Sequence, residues 1–413
     1  MRTIVNWCVA HRLMVILFVV IALVAGFVFT QARSDPDGVS QKDLERAKES
    51  FKLKYGRDAN RVDALSWLAE SYLSRGRAVD AIQCFSKIPT THPVYGHMAR
   101  YQQARALLGL HRAVEAEAEF RDLIGVEDQH PEIQAKYLID ARQRLRHILE
   151  VELRFEERQQ LLRGTISRGE GDFFEVVAYC FPSHLRWNGP EAMQWIDEFH
   201  GADADNHWIK TALGRYRTGQ GQLAEARKLL EEVVHDRPTD RWAIAALIAC
   251  LREMDDQDEL SRRFNALPSL AADDPWLLLI QRGQIANEQG RPQDAVAAFE
   301  LLLKHDSTSS EAWAGLTKSY LELGDLPRRK RALAKSSVLG RLQNNLGKIF
   351  RKPEDPDSYL FVLDLCAEID LIDEGQILSQ FVGRLAPDNP KVIAAVELFR
   401  QRAATPNSSS VLE

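Results

Sequence analysis

The densest run of side chains able to do chemistry is DEFHGADADNHW, with Asp197, Glu198, His200, Asp203, Asp205 and His207 in eleven consecutive positions. His200, Asp203 and His207 could offer nitrogen and oxygen ligands to a divalent ion, and such a site could activate water for hydrolysis. The same residues also suit a connection between helices, in which Asp205 or Asn206 caps a helix starting near Trp208. No other metal signature accompanies them: there is no HExxH and no CxxC. The cysteines stand far apart at 8, 84, 180, 250 and 366, and read as small apolar residues on buried helix faces. No GxxxxGK[ST] loop, strand-borne GxGxxG or GxSxG occurs. The sequence therefore assigns no catalytic residue, no metal ligand and no cofactor. A metal-dependent enzyme built on 197–207 is the weaker alternative.

Two other patterns point to recognition. From Arg328 to Lys352 there are nine basic residues and no acid, beginning with Arg328, Arg329, Lys330 and Arg331, in a chain of net charge −6. That run could meet an acidic protein segment, nucleic acid or an anionic lipid surface. The interleaved Leu333, Leu339, Leu342, Leu346 and Ile349 equally fit a solvated amphipathic helix. The second pattern is Trp208, Trp242 and Trp276, each 34 residues apart.

That period belongs to the elements that must carry these residues. Small residues recur at Ala81, Ala116, Ala192, Ala226 and Ala295, with Leu260 and Arg329 in the same series. Four residues after each comes a large one: Phe85, Phe120, Ile196, Leu230, Phe264, Phe299 and Leu333. The segment LSWLAESYLSRGRAVDAIQCFSKIPTTHP shows one full period, with Leu65, Leu68, Ala69 and Tyr72 at helical spacing, a break at Gly76, a second helix through Ala81 and Phe85, and a stop at Pro93. Ala116 to Ala192 counts about two periods with extra length.

This pattern resembles the tetratricopeptide repeat (TPR), W-x2-L-G-x2-Y followed by A-x3-F and P. The resemblance spans roughly 60–390 and implies an all-α solenoid of helical hairpins, placed here over 57–402 with irregular hairpins near 132–170 and 340–390. It also implies that first helices line a concave groove for partner segments. Trp208, Trp242, Trp276, Arg215 and Arg252 are the residues expected there, the tryptophans either lining the groove or packing between hairpins. Some members clamp a C-terminal carboxylate with Lys and Asn. The matching positions here include Asp63, Ser66, Glu70, Thr211, Arg215, Ala245, Ala249 and Arg252, so cytosolic chaperone tails are disfavoured as ligands.

The N-terminus adds a membrane. Residues 13–30, LMVILFVVIALVAGFVFT, carry no charge and would extend about 27 Å as a helix, near the ~30 Å hydrocarbon core. Arg2, His11 and Arg12 precede them, and Arg33, Asp35 and Asp37 follow. This places residues 1–12 in the cytoplasm, a transmembrane helix at 13–30 and the array on the exported, periplasmic side of an inner membrane. A cleaved signal peptide is the rival reading. Residues 31–56 read as linker and lead-in helix, and 403–413 as a disordered tail. The whole is expected to be a membrane-anchored, non-catalytic scaffold binding protein or peptide partners, with no nucleic acid expected. An assembly factor or chaperone for an envelope machinery is the alternative.

Overall fold

The computed structural model describes residues 40–127, 135–169, 171–182 and 190–404. The expected span at 13–30, the n-region before it and residues 405–413 lie outside the described residues. Among the described residues, no helix is long and apolar enough to cross a membrane. Every regular element there is a helix. Contacts divide them into two units, one of residues 40–110 and 114–127, the other of 111–113 and everything from 135 onward.

The first unit holds α1 (Gln41–Tyr55), α2 (Arg61–Ser74), α3 (Ala78–Phe85), α4 (Gly96–Gly109) and most of α5 (Ala113–Gly125). The lead-in helix α1 buries Leu44, Ala47 and Phe51 against α2. Asn60 and Asp63 form a reciprocal capping box at the start of α2. Asp63 is 2% exposed, and its charge is met by Arg57 at 3.0 Å and by the Tyr95 hydroxyl at 3.0 Å. Those bonds, led by Arg57, hold its carboxyl below the usual range.

The second unit holds α6 (Ala135–Val151), α7 (Phe155–Ser167), α8 (Phe173–Cys180), α9 (Pro190–Ala202), α10 (His207–Gly219), α11 (Leu223–Asp236), α12 (Arg241–Glu253), α13 (Gln257–Asn265), α14 (Trp276–Glu288), α15 (Pro292–His305), α16 (Ser310–Glu322), α17 (Leu326–Arg351), α18 (Pro356–Glu368), α19 (Ile372–Leu385) and α20 (Pro390–Ala404). Helices α10, α12, α14 and α16 touch in succession as the first helices of stacked hairpins. Their partners α11, α13, α15 and α17 follow tight turns. Gly221, Gly290 and Gly324 adopt φ of 74°, 67° and 72° in three of those turns.

The small and large positions of the repeat have a direct structural meaning. Ala226 and Ala295 are fully buried, so the two helices of a hairpin come close together. The large residue four positions on is then driven onto a glycine of the first helix. A Cβ on Gly214 would lie 2.6 Å from Leu230, and one on Gly283 would lie 2.5 Å from Phe299. Phe299 also fills the space at Gly315, one hairpin later, so one ring packs against two first helices.

The last pair of the series behaves differently. Leu333 is 52% exposed and Ala332 is buried in its place. Helix α17 is 26 residues long and buries Val338, Leu339, Leu342, Leu346 and Ile349 beyond the usual hairpin. The close approach makes a prediction. Gly283→Ala should cost about 1–3 kcal/mol through overpacking, whereas Gly340→Ala, with open space around it, should be neutral or stabilising by up to about 1 kcal/mol. Thermal unfolding followed by circular dichroism checks both.

Candidate functional site

Each tryptophan of the 34-residue series sits at or next to the first residue of a first helix, where backbone N–H groups lack partners inside the helix. Asn206 accepts from the Trp208 N–H at 2.9 Å, and Asp240 from the Trp242 N–H at 2.9 Å. Asp274 holds the matching position before Trp276, but its carboxylate is turned to Arg241 and Arg282, at 3.2 and 3.0 Å. The Trp276 N–H donates instead to Glu156 Oε1 at 3.4 Å. Glu156 belongs to α7, so a segment 120 residues earlier helps cap α14.

That segment covers the tryptophan face. Phe155 meets the Trp276 ring at 5.5 Å, and Trp276 meets Trp242 edge-on at 6.3 Å. The Arg215 guanidinium lies 5.4 to 5.9 Å from the rings of Trp276, Phe155 and Trp242 and donates to the Leu153 carbonyl at 3.2 Å. Arg154 lies over Trp208 at 5.1 Å. Such cation–π contacts contribute most where water is excluded. Trp208, Trp242 and Trp276 thus contact residues of their own chain.

The segment continues along the array. Phe173, Val176, Val177, Cys180 and Phe181 share a core with Leu279, Phe299, Trp313, Tyr359 and Leu378. The Cys180 thiol donates to the Glu374 carbonyl at 3.6 Å, and Arg384 donates to the Gly169 carbonyl. Helix α8 packs on α19, while α9 packs on α10 and touches α6.

The sequence carries a signal for this departure that the pattern of small residues alone misses. Leu153, at φ 56°, repeats the hairpin turn, with the Arg154 N–H bonded to Leu149 O much as the Gln222 N–H is bonded to Arg217 O. Arg158 then falls 34 residues before Ala192, in the slot where Ala226 and Ala295 stand. A guanidinium cannot permit the close approach that alanine does. Arg158 is 1% exposed, 3.8 Å from Glu150 and 4.9 Å from the Phe155 ring, and burial lowers its pKa to about 10, leaving it charged at neutral pH.

The described residues thus build an all-α array of stacked helical hairpins that resembles tetratricopeptide repeats. No family model matches the chain, and no curated protein matches it. Similar solved structures include a human IFIT1 dimer with m7Gppp-AAAA, at 14% identity over 89% of this chain and 96% of that one, with a TM-score of 0.37. A tetratricopeptide repeat protein from Parabacteroides merdae is 10% identical over 66% of this chain and 99% of its own, at 0.30. Yeast Tom70 is 12% identical over 90% and 98%, at 0.29.

The other residues singled out in the sequence are placed as follows. Asn206 is the cap of α10, and among the described residues no three His, Cys, Asp or Glu side chains are grouped to hold a metal. His207 lies 4.0 Å from Asp240, with its pKa lowered mainly by burial. Arg252 donates to Gln281 at 3.0 Å and to Gln284. Arg328 pairs with Asp325 at 2.8 Å and lies 5.4 Å from the Tyr320 ring, while Lys330 and Arg331 are exposed and Arg329 is half-buried. Cys84, Cys180, Cys250 and Cys366 are free and buried.

The docked segment predicts a pH dependence. Burial pushes the Glu156 carboxyl from 4.5 to about 7. A raised folded pKa means that its stabilisation is complete below about 4.5 and is lost as pH rises through about 7, a change of roughly 3 kcal/mol at most. The unfolding midpoint of Glu156→Gln relative to the wild type should therefore rise from pH 5 to pH 8; a constant difference would contradict this placement. Phe155→Ala should cost about 3–5 kcal/mol and open residues 155–182 to limited proteolysis before the array unfolds.

Proposed function

We propose that this chain is a non-catalytic, membrane-anchored interaction scaffold whose partner docks on the tip of the α16–α17 hairpin. One observation carries the reading. Leu321, Leu323, Leu326 and Leu333 are 50%, 38%, 63% and 52% exposed around the start of the basic run. Leu326, Lys330 and Leu333 follow i, i+4, i+7 spacing and so form one stripe of α17. Exposed apolar clusters rimmed by charge are characteristic of docking surfaces.

Charge selects the occupant. Arg328, Arg329, Lys330 and Arg331 outnumber Glu322 and Asp325 at this tip, so the complementary partner is an acidic, leucine-bearing protein segment. Leucine contacts would hold it, and the opposite charges would steer its approach. Trp208, Trp242, Trp276 and Arg215 act in this reading as the internal seat of α7, with Arg252 bracing α12 against α14. Residues 13–30 anchor the chain in an inner membrane with the N-terminus in the cytoplasm and the array in the periplasm, supported by the uncharged run and its flanking charges.

The test uses full-length protein in detergent-solubilised membranes. Partner capture should be lost in the triple variant Leu326→Glu, Lys330→Glu, Leu333→Glu, and should weaken as salt is raised. It should persist in Trp208→Ala. Capture unchanged by the triple variant sinks the hairpin-tip assignment. A protease-protection assay on spheroplasts tests the orientation: cleavage of the array by external protease is expected, and full protection overturns it.

A further inference from the structure

Where α7 lies on the array, a cavity of about 250 Å³ remains between them. Phe155, Trp276 and Leu302 supply apolar wall, and Arg163 and Lys304 stand beside them as exposed cations. We propose that this cavity is a binding site for a small organic anion with an apolar body, its ring or alkyl chain against Phe155 and Trp276 and its carboxylate between Arg163 and Lys304.

Size supports the apolar part. A dry cavity of about 150 Å³ is enough for benzene; this space is a pocket partly open to solvent, with room for an aromatic ring and a short chain. Charge supports the acidic part. Among the described residues, neither Arg163 nor Lys304 has an ion-pair partner. Two acids, Asp306 and Glu156, also line the space. Asp306 Oδ1 accepts from the Thr308 backbone N–H at 2.9 Å and from its hydroxyl at 2.6 Å. Burial raises the Glu156 carboxyl to about 7, so it is half protonated at neutral pH, with Oε1 on the Trp276 N–H and Oε2 buried without a hydrogen-bond partner. A protonated Glu156 can donate a hydrogen bond to an incoming carboxylate. His305 contacts the Ala272 carbonyl at 3.1 Å, which fixes the ring at the rim. Both faces of the pocket belong to the second unit.

The ligand could come free in solution or as the last residue of a protein segment, and the experiment separates the two. Purified full-length protein is titrated with 3-phenylpropanoate, indole-3-acetate and octanoate, with the amide of each, and with acetyl-Gly-Gly-Phe as acid and as amide. Calorimetry and Trp276-sensitive fluorescence report binding. At least one acid should bind with a submillimolar Kd, its amide should bind at least tenfold more weakly, and Arg163→Gln with Lys304→Gln should lose at least tenfold in affinity while keeping the wild-type unfolding midpoint. Binding by the free acids identifies a dissolved ligand. Binding by the peptide acid alone identifies a chain terminus. No binding by any acid at 10 mM, equal binding of acids and amides, or full affinity in the double variant overturns the proposal.

Discussion

The structure rests on how closely the two helices of a hairpin can approach. Phe299 packs against Gly283 and Gly315 together, and Leu230 packs against Gly214. In these two hairpins alanine at the adjoining small position permits the close approach. Ala226 and Ala295 satisfy the rule between α10 and α16, while Leu260 and Arg329 stand at the same position in the hairpins of α13 and α17. Arg158 occupies the small position of a hairpin whose turn is otherwise ordinary, and the helix carrying it also reaches Trp276 through Phe155 and Glu156.

Besides their contacts with each other and with α6, α7 and α8 meet the array, and the first helices supply part of that surface. The tryptophan series supplies rings, Arg215 bridges them to the carbonyl of Leu153, and Glu156 meets an N–H that Asp274 leaves open. Apolar side chains from Phe173 to Phe181 complete a shared core. The charges drawn in with α7 come at a cost in desolvation, visible in the raised Glu156 and lowered Arg158 pKa values.

Much of the array was legible because it depends on local periodicity. The small positions at Ala81, Ala116, Ala192, Ala226 and Ala295 are all fully buried. The helix over Asn206–Trp208 and the buried cysteines follow from capping and composition. The seat of the tryptophans was only half legible. Equal spacing showed that they occupy equivalent places, but their contacts join residues 120 positions apart, as between Glu156 and Trp276. Period-matching carries no information about such pairs. Arg158 did carry a signal, 34 residues before Ala192, but only if a large charged residue is accepted as a member of a small-residue series. The basic run reads as uniform charge in sequence; the structure divides it into an exposed tip and a helix whose leucines are buried.

The docked segment also changes how this array should fold. A repeat array in which each hairpin touches only its neighbours gains stability one interface at a time, and can form from either end. Here the Cys180 thiol reaches Glu374 across 194 residues, and Arg384 reaches Gly169 across 215. Hairpins near the end of the chain therefore share their free energy with a helix near the beginning of the same unit. Long-range closure of this kind raises contact order and slows folding, and it turns a modular row of hairpins into a single cooperative body.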